Sequence, residues 1–389
     1  MSVRPGIEVL AEEKPGLVRG ARVALLAHPA SVDRTLRHAA AVLRDAGARI
    51  ARLFAPEHGG SGRQDMVRVD ETLDPLVELP VVSLYGESED SLTPRPEHFA
   101  GVDVLVADLA DVGARYYTFA ATVIRALAAA ARAGVRVVIA DRPDPIDGVS
   151  LEGGLVQPGY HSFVGELPVP VRHGMTLGEL ARFAAAERRI DVELEVVPAR
   201  GWKREQWWDE TGLPWVMPSP NMPTLDTAAV YPGGCLVEGT NLSEGRGTTR
   251  PFELVGAPWL DARELARALE SANVPGARFR PVRFVPAFHK HAGLECQGVQ
   301  VHVVERRAFP PVVAGLALVI AARAQDPGRF DWRREPYEFV SDRPAFDLLA
   351  GGPGWRAAIE AGAAAAEIRE SWQAELADFT ARREAFLLY

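Results

Sequence analysis

Short apolar runs rich in β-branched residues alternate with helix-like segments over the first 200 residues of this 389-residue chain. A strand that is buried on both faces reads as a continuous apolar run, and helices between such strands cover a parallel sheet. The runs expected to form strands are 22–27, 50–54, 81–85, 102–107, 135–140 and 192–197. The pattern predicts an α/β fold with a Rossmann-like, doubly wound and mostly parallel sheet.

Helix signals stand between these runs. A helix is expected to start near Ser31 and to continue through Leu43, and an alanine-rich helix is expected over 119–133, before Gly134. Thr176 and Glu179 have the spacing of a capping box at a helix start. Residues 201–250 are rich in Trp, Pro, Gly and Asn and are expected to be irregular, which in a compact domain commonly marks a functional region.

The pattern changes near residue 251. Helices are expected over 262–271, 312–324 and 357–387, and strands over 278–284 and 298–304. We therefore predict a Rossmann-like catalytic domain over residues 1–250 and a smaller α+β domain over residues 251–389.

Composition excludes several classes of function. A net charge of −9 argues against a general nucleic-acid binder. No run of about 18 apolar residues is present, so no membrane span is expected. The N-terminus lacks the apolar stretch of a signal peptide, so we expect a cytoplasmic protein.

Nucleotide and metal sites are also disfavoured. No glycine-rich phosphate loop follows the first strand. Cys235 and Cys296 do not have zinc-site spacing and are expected to be two buried thiols, with a disulfide as the less favoured alternative. The alternation His289-Lys290-His291 suggests a strand edge rather than a metal site. We therefore expect no metal and no serine nucleophile, since a G-x-S-x-G elbow is absent from the sequence.

Polar clusters follow several of the predicted strands. The segment 56–62 contains Glu57, His58 and the glycines Gly59, Gly60 and Gly62, whereas 108–117 and 141–145 follow the fourth and fifth strands. A fourth cluster lies over 238–249. Because ligands bind beyond the carboxyl ends of parallel strands, the first three clusters are expected at one edge of the sheet.

Two carboxyl groups across a cleft are what glycoside hydrolysis usually needs: one donates a proton, and the other attacks or activates water. Glu57 is the first choice for the general acid, because burial beside apolar strand ends favours a protonated carboxyl. The structural alternative for Glu57 is an N-cap or turn carboxylate paired with Arg52 or Arg63. Asp108 and Asp111 could instead cap a helix.

The remaining candidates each have a structural alternative. Asp141 could form a local ion pair. Asn221 and Asn241 could bind sugar hydroxyl or acetamide groups, or form turns. Candidate anion contacts, which could equally be structural ion pairs, are Arg115, Arg142, Arg172 and Arg246. Aromatic rings that could stack on a sugar or belong to the core are Trp202, Trp207, Trp208 and Trp215.

Longer stretches of the chain resemble the exo-β-N-acetylmuramidase NamZ family, which was formerly a family of unknown function. They are FAPEHG (54–59), LYG (84–86), DVGARYYT (111–118), DRP (141–143), PVRHGMT (170–176), PSPNMPT (218–224) and EGTNLSEGRGTT (238–249). The resemblance implies a Rossmann-like domain that carries the active site, closed by a smaller C-terminal domain. It implies release of terminal, non-reducing β-1,4-linked N-acetylmuramic acid from peptidoglycan fragments, without a cofactor.

The resemblance also bears on individual residues. Glu57 matches the glutamate proposed as catalytic in the family. Relatives often have a second glutamate in the helix after Tyr117, but the helix predicted over 119–133 has no carboxylate. The candidate partners of Glu57 are Asp111, Glu238 and Glu244, of which the first two are predicted to be catalytic.

The expected substrate-binding residues are His58, Asp108, Arg115, Tyr116, Asp141, Arg142, Arg172, His173, Asn221, Asn241, Glu244 and Arg246. The lactyl carboxylate of muramic acid needs a cation, for which Arg246 or Arg172 is expected. Alternative functions are hydrolysis of another bond of a muropeptide, such as the lactyl ether or the acetamide, and muropeptide binding without catalysis. Retention or inversion, the tolerated peptide stem and the oligomeric state stay open, and relatives are often secreted.

Overall fold

A computed structural model describes residues 2–59, 73–74 and 77–389. The strands of its larger sheet are β1 (Arg22–Ala27), β2 (Arg49–Ala55), β3 (Leu73–Asp74), β4 (Leu79–Ser83), β5 (Val104–Asp108), β6 (Arg136–Ala140) and β7 (Leu194–Val197). Their order is β3-β4-β2-β1-β5-β6-β7, and every neighbouring pair is parallel except β3 with β4. The predicted α/β class and the mostly parallel sheet are confirmed.

Alternate side chains of the central strands enter two different cores. Val23 and Leu25 pack in one core, whereas Ala24 and Leu26 pack in the other. Helices α1 (Gly6–Glu13) and α2 (Ala39–Asp45) contribute to the first core, and α3 (Phe119–Arg132) and α4 (Leu177–Glu187) to the second. The sheet is therefore covered on both faces, which is why its strands read as continuous apolar runs.

The structure confirms one predicted helix start, that of α4, and corrects another, that near Ser31. The capping box of α4 is confirmed, because Thr176 accepts a hydrogen bond from the Glu179 N–H and Glu179 accepts one from the Thr176 N–H. The helix predicted from Ser31 is wrong over its first turns. Asp33 Oδ1 accepts hydrogen bonds from the N–H groups of Thr35 and Arg37, which holds this segment as a loop until α2 begins.

The second half of the chain contains a smaller antiparallel sheet of order β8-β10-β9, with β8 (Leu254–Ala257), β9 (Ala277–Phe284) and β10 (Cys296–Val303). The helices of this half are α5 (Leu225–Gly234), α6 (Ala262–Ser271), α7 (Pro311–Gln325), α8 (Ala345–Ala350), α9 (Gly354–Glu360), α10 (Ala365–Ser371) and α11 (Gln373–Arg383). This confirms a smaller α+β unit after the Rossmann-like sheet. The domain boundary at residue 250 stays a prediction.

Two expectations about helices in this half are wrong. Helix α5 lies inside the region expected to be irregular. It contains Pro232 and two glycines, yet it packs so closely on α7 that a side chain at Gly233 would collide with the carbonyl group of Pro311. The single helix expected over 357–387 is three helices, α9 to α11. Gly362 follows α9 with φ 91°, a left-handed conformation that ends that helix.

The two halves meet at the carboxyl edge of the larger sheet. Glu152, after β6, accepts hydrogen bonds from the N–H groups of Val312 and Val313 and so caps α7. The ring of Phe339 packs edge-on against Tyr85, with centroids 5.8 Å apart.

Cys235 and Cys296 are buried free thiols, as expected. Within the described residues, no helix has the length and apolar character to cross a membrane.

Candidate active site

A pocket of about 510 Å³ lies beyond the carboxyl end of β2. Among the residues that the structure describes, three carboxyl groups line it, those of Glu57, Glu238 and Glu338, together with the guanidinium group of Arg246. The other lining residues include aromatic and polar side chains: His58, Tyr116, Tyr117, Thr118, Ser219, Asn221, Tyr231, Phe252 and Tyr337. The pocket thus combines acid groups, one cation and aromatic walls.

Glu57 is held in place by a turn that follows β2. The Gly59 N–H donates to the Pro56 carbonyl at 3.0 Å, and His58 and Gly59 both have positive φ. The side chain of Glu57 is buried, with 8% of the residue exposed, and its Oε2 accepts a hydrogen bond of 2.7 Å from the Thr118 hydroxyl. The predicted position of Glu57 at the strand end is therefore confirmed.

The structural alternative for Glu57 was an ion pair with an arginine. Arg52 donates instead to the carbonyl group of Ala100, at 3.2 Å. Arg63, like Gly60 and Gly62, lies outside the described residues.

Glu238 reaches the same pocket from the turn after α5. Its Oε1 accepts a hydrogen bond of 2.7 Å from Arg246 Nη2, and its Oε2 accepts one of 2.9 Å from the Tyr337 hydroxyl. Burial, followed by the nearby charge of Glu244, raises the pKa of Glu238 to about 7. Glu238 therefore shares a pocket with Glu57 and also holds Arg246.

Glu244 is fully buried behind Arg246 and does not line the pocket. Its carboxylate lies 3.0 Å from Lys290 Nζ, 3.0 Å from His289 Nδ1 and 3.4 Å from Arg246 Nε. Although burial acts in the opposite direction, Lys290 and His289 lower its pKa to about 2. Glu244 is thus an ionised anchor for Arg246.

These contacts also correct the expectation for residues 289–291. They form a turn between β9 and β10 rather than a strand edge, and His289 and His291 both have positive φ. The turn points Lys290 and His289 at Glu244.

Glu338 is the carboxyl group of this pocket that sequence reasoning missed, and the lining residues Tyr231, Phe252 and Tyr337 were not predicted either. It lies in the segment between α7 and α8, far from the polar clusters of the first 250 residues. The Tyr85 hydroxyl donates to its Oε2 at 3.2 Å. Burial, Glu57 and Glu238 raise the pKa of Glu338 to about 8. The sequence around Glu338 contains no motif that would have singled it out.

A neighbouring pocket of about 400 Å³ contains other predicted residues. Asp111 and Arg142 line it, with Trp208 and Trp215 as aromatic walls. Arg142 is engaged by Asp108, with Nη2 2.8 Å from Oδ2, and also donates to the Val32 carbonyl. This pair is a structural ion pair, one of the alternatives expected for the arginines.

Asp111 does not line the pocket of Glu57. Its Oδ2 accepts a hydrogen bond of 2.8 Å from the Gly113 N–H, so it stabilises a turn rather than capping a helix. Burial raises the pKa of Asp111 to about 7. His173 Nε2 lies 3.8 Å from the same carboxyl group, and burial lowers the pKa of His173 to about 3, so its imidazole is neutral.

Two other arginines predicted to bind substrate form hydrogen bonds within the protein instead. Arg115 donates to the carbonyl groups of Gly154, Val169 and Leu349. Arg172 donates to Asp147 and to the Ile146 carbonyl.

Asp141 and Asn241 also bind backbone or neighbouring side chains. Asp141 accepts hydrogen bonds from Thr176, Gly178 and Tyr389, rather than forming a local ion pair. Asn241 binds the backbone of residues 329 and 331.

The tryptophans belong to the core more than to the pocket. Trp202 packs against Tyr389, with ring centroids 4.8 Å apart, and Trp207 lies between Arg172 and Arg306.

In the part of the chain that the structure describes, no group of three His, Cys, Asp or Glu side chains could hold a metal ion. Of the predicted site residues, the pocket brings together Glu57, His58, Tyr116, Asn221, Glu238 and Arg246.

Comparison with known proteins gives concordant matches over the whole chain. The family described as exo-β-N-acetylmuramidase NamZ matches with its N-terminal part over residues 23–226 and with its C-terminal part over residues 229–389. The peptidoglycan β-N-acetylmuramidase NamZ of Bacillus subtilis (strain 168) is 41% identical over 390 residues, which cover 100% of this chain and 91% of that protein.

Two crystal structures of DUF1343 family proteins from Bacteroides fragilis NCTC 9343 have the same fold. One superposes with a TM-score of 0.88 at 32% identity, and the other with 0.78 at 28%. Each comparison covers 100% of this chain and 99% of the other.

Proposed function

The chain belongs to the exo-β-N-acetylmuramidase NamZ family, and from this premise we propose that it releases terminal β-1,4-linked N-acetylmuramic acid from the non-reducing end of peptidoglycan fragments. The observation that carries the proposal is the shared pocket of Glu57 and two further carboxyl groups. Hydrolysis of a glycoside uses two such groups, one to protonate the leaving oxygen and one to attack or to activate water. Glu57 is one of the two reacting groups in this proposal.

Arg246 is the proposed contact of the lactyl carboxylate. A guanidinium fork matches a carboxylate in shape and charge, and Arg246 lines the pocket of Glu57. Arg172, the other arginine expected for this role, is bound to Asp147 outside that pocket. Glu238 and Glu244 hold Arg246 from two sides and thereby position it.

The charge of the pocket is compatible with an anionic sugar. If the described carboxyl groups Glu57, Glu238 and Glu338 were all ionised beside Arg246, their charge would repel the substrate carboxylate. Burial raises the pKa of Glu238 to about 7 and that of Glu338 to about 8, so protons neutralise part of this charge near neutral pH. Tyr337 and Glu338 come from the C-terminal half and wall the pocket, which suits an enzyme that accepts only a chain end.

The proposal is tested by incubating the protein with the disaccharide in which muramic acid is linked β-1,4 to N-acetylglucosamine. We expect the two intact monosaccharides, and Glu57→Gln should lower turnover by about 10²–10⁴-fold, the usual contribution of acid–base catalysis. Glu205→Gln is a matched control, because Glu205 is exposed in a loop outside the pocket.

Other products would point to other functions. Release of lactate or acetate from an otherwise intact disaccharide would identify hydrolysis of the ether or the acetamide. Binding without turnover, retained in Glu57→Gln, would identify a muropeptide-binding protein. Full activity of Glu57→Gln would remove Glu57 from the reaction.

A further inference from the structure

Glu338 sits at the tip of a strained two-residue turn. Tyr337 and Val340 exchange backbone hydrogen bonds of 2.9 and 3.0 Å, and the two residues between them, Glu338 and Phe339, have φ of 46° and 68°. A turn with two left-handed residues favours Asn-Gly, because a Cβ atom makes the left-handed conformation unfavourable. Such strain persists where the surrounding structure imposes it, and it is concentrated at functional sites.

The turn places both of its central side chains. Phe339 packs edge-on against Tyr85, and the Tyr85 hydroxyl donates to Glu338. Glu338 therefore enters the pocket of Glu57 as a fixed group rather than as a free surface carboxylate.

The three carboxyl groups of the pocket differ in their donors. Glu57 accepts from Thr118 at 2.7 Å, and Glu238 accepts from both Arg246 and Tyr337. Strong donors, one of them cationic, favour the ionised form of a carboxyl group, although burial and Glu244 still raise the pKa of Glu238 to about 7.

Glu338 has a weaker donor and lies among other carboxyl groups. Its described hydrogen-bond donor is the phenol of Tyr85 at 3.2 Å, and it faces the carboxyl groups of Glu57 and Glu238, with Arg246 as the cation that acts on it. Burial and those two carboxyl groups raise its pKa to about 8, against the effects of Tyr85 and Arg246. Among the three carboxyl groups, Glu338 is thus the one whose described hydrogen-bond donor is neutral and most distant, and these surroundings favour its protonated form.

We propose that Glu338 is the catalytic acid of this site, the group that protonates the glycosidic oxygen, while Glu57 supplies the second carboxylate. The inference rests on the proposed function, because it assigns a role within that reaction. It gives Glu57 the part of base or nucleophile, which differs from the acid role expected from the sequence. Tyr85 is then a positioning residue, since it acts through Glu338.

The proton on the Glu338 carboxyl moves to the glycosidic oxygen, the bond from that oxygen to the anomeric carbon breaks, and its electron pair stays on the oxygen of the departing sugar. In the direct route the oxygen of water bonds to the anomeric carbon as its proton passes to Glu57, and proton exchange with solvent then restores both carboxyl groups. In the covalent route Glu57 first bonds to the anomeric carbon as the departing sugar leaves. Water then displaces Glu57 from that carbon, its proton returns to Glu338, and Glu57 leaves as a carboxylate.

The test compares two substrates that differ in their need for an acid. One is the muramic acid–N-acetylglucosamine disaccharide, whose leaving sugar must be protonated. The other is the 2,4-dinitrophenyl β-glycoside of N-acetylmuramic acid, whose leaving phenolate is stable without a proton. Glu338→Gln should lower kcat/KM for the disaccharide by about 10²–10⁴-fold and that for the dinitrophenyl glycoside much less. Glu57→Gln should lower both.

Two further variants complete the test. Glu335→Gln is the matched control, because Glu335 is exposed three residues before Glu338 and does not line the pocket. Tyr85→Phe removes the hydrogen bond that lowers the pKa of Glu338, so the alkaline limb of the disaccharide profile should move to higher pH. This variant keeps the inference testable if Glu338→Gln does not fold, as judged by circular dichroism.

The outcomes separate the two proposals. The role of Glu338 would be overturned if wild-type protein cleaves the disaccharide and folded Glu338→Gln keeps full activity, or loses the same factor of kcat/KM on both substrates. The proposed muramidase activity would stand in that case. An alkaline limb unmoved in Tyr85→Phe would also overturn it. Wild-type protein that cleaves neither substrate would overturn both.

Discussion

The Thr118 hydroxyl donates a 2.7 Å hydrogen bond to Oε2 of Glu57, although Thr118 stands at the N-cap position of α3. A threonine at this position ordinarily accepts a hydrogen bond from a helix N–H, but Thr118 makes no side-chain cap. Its hydroxyl is used instead to orient a carboxylate near the positive end of the helix dipole. The start of α3 thus positions Glu57.

Thr118→Val should lower kcat/KM by about 10- to 100-fold. The substitution keeps the volume of the side chain and removes a hydrogen bond to a charged group, which is worth about 1.5–3 kcal/mol. The measurement is hydrolysis of the disaccharide, with the Tm recorded alongside. Thr122→Val is the control, since Thr122 lies one turn later in α3 and donates to the Thr118 carbonyl rather than to Glu57. Equal losses of activity in both variants would mean that the helix, and not the hydrogen bond, is what matters.

Arg246→Lys should weaken the preference for a sugar with a lactyl group. Lysine keeps the charge but cannot form two parallel hydrogen bonds with a carboxylate. We expect the ratio of kcat/KM for aryl glycosides of N-acetylmuramic acid and N-acetylglucosamine to fall by about 10-fold or more. In Arg172→Lys that ratio should not change, because Arg172 binds Asp147 outside the pocket. A fall in Arg172→Lys alone would transfer the role to Arg172.

Asp111→Asn should stabilise the protein at alkaline pH. Burial raises the pKa of Asp111 from 3.8 to about 7 in the folded protein. The folded state therefore retains a proton that the unfolded state releases, and the free energy of unfolding contributed by this group falls as the pH rises from about 4 to about 7. Asparagine does not titrate, so the variant should gain on the order of 2 kcal/mol relative to wild type between pH 5 and pH 8.

The measurement is urea denaturation at both pH values. Asp191→Asn, an exposed position, serves as the control and should show no such change. A difference between Asp111→Asn and wild type that is independent of pH would contradict the raised pKa of Asp111.

Much of the larger sheet could be predicted because burial on both faces leaves a local signal. Each expected strand lies within two residues of the observed bounds, and the capping box of α4 is in place. The position of Glu57 followed from the same logic, since a polar residue after a buried strand must lie at the sheet edge. Helix α5 was missed because its stability comes from close packing on α7 rather than from helix propensity.

The α/β class, the parallel strands β1, β2 and β4 to β7 and the family motifs that include Glu57, Glu238 and Arg246 can be read from the sequence alone. Which carboxyl groups share a pocket depends on the tertiary structure. Glu338 enters it through a left-handed turn without the Asn-Gly signature, and Asp111 lies in the neighbouring pocket. The physical reason is that periodicity and capping act between near neighbours in sequence, whereas the protonation and contacts of a buried carboxyl group depend on charges that distant segments bring to it.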